Sequence, residues 1–508
     1  MPRCSTLVEL LSRGEDGASA LGAPGTPDLT YAGLRQLIIT TLRDLNAWGI
    51  GRNDRVAIVL RNGPEMAASF LAVACGTTSA PLNPGYRADE FEFYMSDLKA
   101  RALIVERGAD TPAVAVAEKL GVMVIDLIPE PDKGAGSFRL ALRSGAPSSP
   151  ALGGWAAADD IALILHTSGT TSRPKIVPLT QRNVAVSAGN IAQSLRFTSR
   201  DRGLNIMPLF HIHGLIAATL APLSAGAYIF CSPGFNALRF FAWMEECKPN
   251  WYTAVPTMHQ TILTRASQNR ATIERYPLRF IRSSSSSLPT QVIRELEEVF
   301  GAPVIEAYGM TEASHQMCSN PLPPKARKPG SVGIAAGPKV AIMDTQGRLL
   351  PAGETGEIVI RGANVTPGYE NNPKANAEAF TRGWFRTGDQ GVMDGEGYVT
   401  LTGRLKEIIN RGGEKISPRE VDEVLMDHPA VLQVVTFAIP HDKLGEEVGA
   451  AVVLREGQRA TDQDIRSFAA TRLADFKVPR KVLILDEIPK GATGKLQRIG
   501  LAQKLGLV

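Results

Sequence analysis

The sequence predicts an α/β protein with a large N-terminal domain, residues 1–403, and a smaller C-terminal domain, residues 404–508. Helical and strand-like patterns alternate over the first 150 residues, and the alternation resumes after residue 160. Such alternation is typical of a largely parallel sheet covered by helices. The texture changes to short strands with Gly, Pro and Asp turns over residues 330–402 and then returns to α/β. We therefore place the domain boundary at residues 403–407.

Residue periodicity predicts the elements of the first 200 residues. Residues 134–154 are rich in Gly, Ser and Pro, which is typical of an exposed loop. Apolar residues at a spacing of three to four predict helices, and short β-rich runs predict strands. The predicted helices are Tyr31–Trp48, Glu65–Cys75 and Gln181–Ser194, and the predicted strands are Arg55–Leu60 and Ile161–Leu165.

The remaining elements follow in the same way. Three short strands within residues 330–402 predict a small β-barrel or distorted sheet. These strands are Val340–Met343, Gly356–Ile360 and Gly397–Leu401. In the C-terminal domain we expect helices at Pro418–Met426 and Asp462–Leu473 and strands at Val431–Ile439 and Gly449–Leu454.

Composition excludes several classes of protein. The chain has 508 residues, with 44% hydrophobic and 21% charged, which is typical of a globular protein and excludes collagen-like and disordered chains. The 55 Lys and Arg exceed the 51 Asp and Glu by only four. A net charge of +4 on a chain of this length is too dilute to indicate nucleic acid or an anionic membrane as the main partner.

Cysteine usage and hydropathy bear on location. The five cysteines are scattered and form no C-x-x-C pair, which indicates a reducing compartment, so we expect a cytoplasmic protein. The longest uncharged stretch lies between His213 and Arg239. Because it contains Pro222, Gly226 and Pro233, it predicts a buried helix, turn and strand rather than a membrane span.

The strand ending at Leu165 leads into a loop suited to phosphate. The segment His166–Lys175, HTSGTTSRPK, holds five hydroxyl side chains, one glycine and two cations. Closely spaced N–H and O–H donors can surround polyphosphate oxygens, and Arg173 and Lys175 would neutralise their charge. The loop is not a Walker A motif, because Pro174 stands where the second glycine would be. Taken alone, it is also compatible with a solvated linker.

The loop resembles the first signature of the adenylate-forming superfamily of acyl-CoA synthetases, aryl-CoA ligases, luciferases and non-ribosomal adenylation domains. That signature reads (S/T)-S-G-(S/T)-T-G-x-P-K-G, from which the chain departs at Ser172 and Ile176. Four further signatures follow in the family's order and spacing, and the chain is identified as a member. They are EAYGMTE at 306–312, WFRTGD at 384–389, GRLKEII with GGEKIS at 403–417, and PKGATGK at 489–495.

The resemblance implies a two-step reaction. A carboxylate and ATP give an acyl-adenylate and pyrophosphate, and CoA then displaces AMP to give the acyl-CoA. ATP, Mg²⁺ and CoA are the implied cofactors and co-substrates. The implied fold has a large AMP-binding domain of stacked α/β layers and a small mobile α+β domain that rotates about Lys406. Without the resemblance, Lys406 is compatible with an ordinary surface lysine.

The resemblance also assigns roles to nucleotide-site residues. Tyr308 packs on adenine, Asp389 binds the ribose hydroxyls, Arg404 contacts ribose or phosphate, and Glu312 and Thr170 hold Mg²⁺. The implied nucleotide-binding set is Thr167, Ser168, Gly169, Thr170, Thr171, Lys175, Ala307, Tyr308, Thr311, Asp389, Arg404 and Lys495.

Catalysis by this family depends on charge. An anionic carboxylate must approach the anionic α-phosphate, and a lysine stabilises the charge as it shifts onto pyrophosphate. The resemblance makes Lys495 that lysine, acting with Glu312 and Thr170. The thiol of CoA is itself a strong nucleophile, so no dedicated general base is expected for the second step.

Three side chains are candidates for the acid pocket: His213 in PLFHIHG, Ser285 in a run of five serines, and His315 just after the YGMTE motif. Imidazole and hydroxyl groups suit a small, doubly charged acid, because an alkyl chain would leave them unpaired. Four stretches, HTSGTTSRPK, SSSSL, EASHQMCSNPLP and RKPGSVG, closely resemble oxalate–CoA ligases. Malonyl-CoA synthetases carry Arg where this chain has Ala307. We therefore expect oxalate, with the three side chains holding its distal carboxylate.

Several alternatives remain open at this level. The acid could be another small or medium-chain acid, or the protein could be a stand-alone adenylating enzyme that charges a carrier protein. A catalytically inactive nucleotide-binding protein is a third class, which the intact Glu312, Asp389, Arg404 and Lys495 argue against. A metal site made by His211, His213 and His315 has no supporting ligand spacing. The oligomeric state is not predicted.

Overall fold

The computed structural model describes residues 4–167, 174–490 and 496–508. Helices and strands alternate along the larger part of the chain, as the sequence predicts. The helices are α1 (Leu7–Leu11), α2 (Tyr31–Ala47), α3 (Pro64–Ala74), α4 (Ala88–Leu98), α5 (Ala113–Lys119), α6 (Gln181–Ser194), α7 (Ala221–Leu223), α8 (Phe240–Cys247), α9 (Pro256–Ala266), α10 (Arg270–Arg275), α11 (Thr290–Phe300), α12 (Pro373–Ala379), α13 (Pro418–Met426), α14 (Asp462–Ala470) and α15 (Leu501–Lys504).

The strands of the first 320 residues are β1 (Ser19–Ala23), β2 (Thr26–Thr30), β3 (Arg55–Val59), β4 (Thr78–Pro81), β5 (Ala102–Glu106), β6 (Met123–Pro129), β7 (Phe138–Ser144), β8 (Ile161–His166), β9 (Ile176–Thr180), β10 (Arg202–Asn205), β11 (Tyr228–Cys231), β12 (Trp251–Ala254), β13 (Phe280–Ser283), β14 (Val304–Met310) and β15 (His315–Ser319). Later strands are β16 (Ile334–Ala335), β17 (Lys339–Met343), β18 (Thr355–Arg361), β19 (Phe380–Thr381), β20 (Trp384–Met393), β21 (Val399–Arg404), β22 (Ile409–Arg411), β23 (Glu414–Ile416), β24 (Val431–His441), β25 (Gly445–Leu454) and β26 (Lys481–Ile484).

Two sheets form the body of the N-terminal part. One has the strand order β16-β15-β14-β13-β12-β10-β11-β1-β2 and is parallel from β14 to β1. The other has the order β7-β6-β5-β3-β4-β8-β9 and is parallel from β6 to β8. Antiparallel strands close the edges of both sheets. The α/β class predicted from the alternating pattern is therefore confirmed.

The later segments have antiparallel sheets, in keeping with their different texture. Strands β17 to β21 form one sheet with the order β17-β18-β20-β19, in which β21 pairs with β20. The last sheet has the order β23-β22-β25-β24, and β26 joins β25 in parallel. The predicted boundary falls at the end of β21, and the last sheet begins with β22 at Ile409.

Helix starts follow from capping side chains. Thr180 Oγ1 accepts a hydrogen bond from the Asn183 N–H at 3.1 Å, and Asn183 Oδ1 accepts from the Thr180 N–H at 3.0 Å. This reciprocal capping box satisfies two donors at the N-terminus of α6. Ser417, followed by Pro418, starts α13 in a similar way, with the Ser417 side chain accepting from Glu420 N–H.

One predicted loop is wrong in part. Residues 134–154 contain β7, which pairs antiparallel with β6. The strand forms because Phe138 and Leu140 alternate with polar residues and are buried, at 4% and 8% exposure. The Gly- and Ser-rich residues on either side obscured this period of two in the sequence.

The long uncharged stretch after His213 is almost entirely buried as far as Ser232, as predicted, whereas Pro233 and Leu238 near its end are exposed. It forms a π-helical segment from His213 to Leu220, the short helix α7 and strand β11. In residues 4–167, 174–490 and 496–508, no helix is long and apolar enough to cross a membrane.

Candidate active site

The topology of the larger parallel sheet brings candidate residues to one edge. Strands β12, β13 and β14 are neighbours and parallel, so their carboxyl ends meet at the same edge. Ser285 follows β13, and Tyr308 lies near the end of β14. Ligands bind at this edge in open α/β sheets, because the loops that follow the strands line the crevice there.

Three separately predicted nucleotide residues meet at this edge. The hydroxyl of Tyr308 donates a hydrogen bond to Asp389 Oδ2, and Arg404 Nε donates to Asp389 Oδ1 at 2.9 Å. Asp389 and Arg404 are register partners on β20 and β21, whereas Tyr308 comes from β14 of another sheet. Asp389 therefore accepts hydrogen bonds on both carboxylate oxygens, which fixes the orientation of its side chain.

Burial and charge set the protonation of this cluster. Burial, reinforced by the charge of Asp389, raises the pKa of the Tyr308 phenol well above its usual value. The phenol therefore stays protonated and remains a donor. The neighbouring carboxylate of Asp389 raises the pKa of Arg404, which keeps its full charge beside the site.

Glu312 belongs to a second cluster that also contains a residue the sequence analysis missed. The hydroxyl of Tyr369 donates to Glu312 Oε1 at 2.7 Å, and Lys175 Nζ lies 4.5 Å from the centre of the Tyr369 ring. Glu312 is 6% exposed. Burial raises the pKa of its carboxyl, while the Tyr369 hydrogen bond acts in the opposite direction. Because Tyr369 is a single Tyr within a Gly- and Pro-containing turn, its neighbours in the sequence do not indicate its contacts with Glu312 and Lys175.

The two ends of the candidate phosphate loop are fixed to each other. The Thr167 N–H donates to the Lys175 carbonyl at 3.0 Å, and the Lys175 N–H donates to Thr167 Oγ1 at 3.2 Å. These bonds continue the antiparallel pairing of β8 with β9, so the loop closes a hairpin. The predicted residues Ser168, Gly169, Thr170, Thr171 and Lys495 lie outside the described residues.

Ala307 and Thr311 lie at the end of β14. The Ala307 carbonyl accepts a hydrogen bond from Ser284 Oγ at 2.9 Å, which ties the serine run to the YGMTE segment. Thr311 begins a short 3₁₀ turn, and its carbonyl accepts from the Ser314 N–H at 2.9 Å. Both residues are thus placed beside Tyr308 and Glu312.

The structure brings the three predicted acid-pocket residues together. His213 Nδ1 lies 3.0 Å from Ser285 Oγ, and the His213 and His315 rings stack with centroids 5.0 Å apart and planes at 19°. Ser285 and His315 have positive φ angles of 74° and 97°. Such angles are costly for non-glycine residues and concentrate at functional sites.

A fourth residue, Arg282 on β13, contacts both histidines and was not among the residues predicted from the sequence. Its side chain is fully buried. Nη1 lies 3.2 Å from His213 Nε2, and Nη2 lies 3.1 Å from His315 Nε2. Burial lowers the pKa of Arg282 to about 9. The sequence feature that could have revealed Arg282 is an arginine within the short strand FIRS, all of which is buried.

The charge of Arg282 is not balanced within the described residues. In that part of the chain no carboxylate lies within 4.0 Å of its guanidinium, and its Nε has no hydrogen-bond partner. By contrast Arg279, three residues earlier, forms an ion pair with Asp201 at 2.8 Å. A buried and unpaired cation is costly, which makes this pocket a candidate binding site for an anion.

The two ends of the site differ in their suitability for a metal ion. Among the described residues, no group of three or more His, Cys, Asp or Glu side chains could hold a metal ion. Nε2 of both His213 and His315 faces Arg282, an arrangement unsuited to a metal ligand. Glu312 does suit Mg²⁺, which binds through one or two carboxylates together with substrate phosphates.

Lys406 lies in the turn between β21 and β22, where the chain passes from one sheet to the next. The Leu405 N–H donates to the Gly388 carbonyl at 2.9 Å, which fixes the residue before it. Arg419 of α13 also connects the residues that follow Lys406 with those that precede it. Its guanidinium donates to the carbonyls of Leu401 at 2.8 Å and Gly330 at 3.1 Å.

Comparison with known proteins gives matches over nearly the whole chain. Residues 15–370 match the AMP-binding enzyme family, and residues 420–495 match the AMP-binding enzyme C-terminal domain. The chain is 46% identical to an oxalate–CoA ligase of Arabidopsis thaliana, covering 98% of both chains. It is 43% identical to an oxalate–CoA ligase of Saccharomyces cerevisiae, covering 89% of this chain and 87% of that one.

Solved structures give the same fold. ATP-bound MatB from Rhodopseudomonas palustris superposes with a TM-score of 0.87 at 29% identity, covering 98% of both chains. The arrangement of the sheets is therefore shared with a protein whose crystal structure holds ATP.

Proposed function

Because the chain belongs to the AMP-binding enzyme family, we propose that it is an oxalate–CoA ligase, which converts oxalate, ATP and CoA into oxalyl-CoA, AMP and pyrophosphate. The reaction proceeds through oxalyl-adenylate. The observation that carries the choice of acid is the cluster formed by the buried Arg282, His213 and His315 together with Ser285. The similarity to oxalate–CoA ligases from a plant and a yeast supports the same choice.

Tyr308, Asp389, Arg404 and the phosphate loop bind the nucleotide. The ring of Tyr308 offers a surface for adenine, and Asp389 offers its carboxylate to the ribose hydroxyls. Arg404 stays charged beside Asp389 and faces ribose or phosphate. The hydroxyl donors and cations of the segment from Thr167 to Lys175 bind the phosphates.

In the first step, one carboxylate oxygen of the acid attacks the α-phosphorus and the bond to pyrophosphate breaks. Mg²⁺ bound at Glu312 and Thr170 would neutralise charge on the phosphates. Lys495 stabilises the negative charge as it moves onto the leaving pyrophosphate. The pocket holds the second carboxylate of the acid and thereby orients the first toward the phosphorus.

In the second step, the CoA thiolate attacks the acyl carbon, the sulfur–carbon bond forms and the bond to AMP breaks. The residues after β21 rotate about Lys406 so that Lys495 leaves and the thiol enters. The glycines Gly412 and Gly413, with φ angles of 59° and 100°, lie in the turn between β22 and β23 and leave room for the thiol arm.

The alanine at position 307 distinguishes this proposal from a malonate ligase, in which an arginine is expected at that position.

We place the enzyme in the cytosol, a location supported by its five free thiols.

A pyrophosphate-release assay tests the proposal directly. Purified protein is supplied with ATP, Mg²⁺ and CoA and with oxalate, malonate, acetate, hexanoate or benzoate in turn. We expect oxalate to give the highest kcat/KM, and AMP and oxalyl-CoA to form in equal amounts. A preference for a monocarboxylic acid would contradict the proposal. Pyrophosphate release without consumption of CoA would instead indicate a carrier-protein acceptor.

A further inference from the structure

Arg282 determines which nitrogen of each histidine carries a proton. A guanidinium only donates hydrogen bonds, so a ring nitrogen at 3.1 or 3.2 Å from its Nη atoms must accept. Nε2 of His213 and of His315 is therefore unprotonated. The ring proton of each neutral imidazole then sits on Nδ1. Thr253 Oγ1, 2.7 Å from His213 Nε2, is a second donor to the same nitrogen.

This tautomer sets the direction of the next hydrogen bond. His213 Nδ1–H donates to Ser285 Oγ at 3.0 Å, so the hydroxyl proton of Ser285 turns away from His213. Arg282, His213 and Ser285 thus form a chain in which every bond donates in the same direction. Chains of this kind polarise each bond, and a charged first member strengthens them.

The burial of Arg282 indicates that these hydrogen-bonded side chains face an anion. The side chain is fully buried and lacks an acidic partner within the described residues. Arg279, which directly precedes β13, is paired with Asp201, so an arginine close to Arg282 is compensated by a carboxylate of the fold. An anionic ligand is the remaining means of balancing Arg282.

We propose that Arg282 is the positioning and specificity-determining residue of the acid pocket. It holds His213 and His315 with their protons on Nδ1, turns the Ser285 hydroxyl toward the bound acid and supplies the positive charge that selects a second carboxylate. This inference rests on the proposed function, because oxalate is the anion that the pocket would hold.

The test measures steady-state kinetics of the full chain and of R282M and R282K, with oxalate and with acetate. Methionine keeps the length of the side chain without charge or donors. We expect R282M to lower kcat/KM for oxalate about 100-fold, the loss of a charged hydrogen-bond donor system, while KM for ATP changes less than about threefold. The oxalate-to-acetate ratio of kcat/KM falls accordingly. R282K is intermediate, since it keeps the charge but reaches one imidazole.

Arg279→Met is the matched control, because it removes a compensated arginine three residues away. We expect R279M to lower the thermal midpoint and to leave the oxalate-to-acetate ratio within about threefold of wild type. We expect R282M, which removes an uncompensated buried charge, to unfold at a midpoint no lower than that of R279M.

The outcomes separate the two claims. Equal losses with oxalate and acetate in R282M, together with a lower midpoint than R279M, would show a structural arginine and overturn this inference while oxalate remained the substrate. If the wild-type arm itself prefers acetate, the proposed function fails before any variant is compared.

Discussion

Tyr369 donates a hydrogen bond of 2.7 Å to Glu312, the carboxylate that we propose as the Mg²⁺ ligand. The same ring lies 4.5 Å from the ammonium of Lys175 at the end of the phosphate loop. One aromatic side chain therefore joins the phosphate loop to the proposed metal carboxylate. Neither contact depends on residues that are near one another in the sequence.

Removing only the hydroxyl should separate these two functions. Tyr369→Phe keeps the ring under Lys175 but leaves Glu312 without its donor and free to turn. We expect the Mg²⁺ concentration for half-maximal pyrophosphate release to rise about tenfold, the cost of one hydrogen bond to a charged group. Tyr369→Leu also removes the ring, and should raise KM for ATP in addition. Identical Mg²⁺ dependence in Y369F and wild type would disprove the link.

Tyr308→Phe tests the ribose cluster. The ring that would support adenine remains, whereas Asp389 loses one of its two fixing hydrogen bonds. We expect KM for ATP to rise about five- to tenfold, equivalent to about 1–1.4 kcal/mol. KM for the acid should not change. A rise in KM for the acid of similar size would show that Tyr308 acts on the other side of the site.

Lys406→Pro tests the hinge. Proline fixes φ near −65°, and rotation about this turn requires the backbone angles to change. We expect exchange of pyrophosphate into ATP to persist, while CoA-dependent product formation falls about 10- to 100-fold. Lys406→Ala is the control and should support both steps. An equal loss of both steps in K406P would argue against a hinge at this position.

Glu306 gives a pH-dependent prediction for stability. Its carboxyl accepts a hydrogen bond from the Gly330 N–H at 3.0 Å, and burial raises its pKa from 4.5 to about 8. Because the folded-state pKa is the higher one, the stability due to neutral Glu306 is complete below pH 4.5 and is lost as the pH rises toward 8.

Glu306→Gln cannot ionise, so it should be increasingly stabilised relative to wild type as the pH rises. Thermal denaturation at roughly pH 4, 5, 6, 7, 8 and 9, a range that spans the two pKa values, measures this difference. We expect the difference between the midpoints of variant and wild type to grow up to about pH 8 and then to level off. A difference that is constant with pH would show that Glu306 does not titrate in this range.

Local patterns predicted the elements well where the chain carries caps. Helices α6 and α13 match their predicted bounds. Their starts are fixed by Thr180 with Asn183 and by Ser417 with Pro418. Strand β7 was not predicted because few residues alternate in it and because glycine and serine surround them. The flanking composition outweighed the period of two.

The site residues that lie in local sequence motifs could be predicted, whereas those outside such motifs could not. Tyr308, Asp389 and Arg404 each lie in a recognisable segment, and the structure brings them together. Arg282 reaches His213 and His315 across separations of 69 and 33 residues. These contacts depend on strand order and register and do not follow from any spacing in the sequence. The role of Arg282 is therefore visible only in the folded structure.

The most direct test of the account is a competition assay. Equal concentrations of oxalate, malonate and acetate are supplied together with ATP, Mg²⁺ and CoA, and the thioesters are identified by mass spectrometry. We expect oxalyl-CoA to predominate, with one AMP and one pyrophosphate formed per CoA consumed. Predominance of acetyl-CoA would contradict the assignment of the pocket to a doubly charged acid.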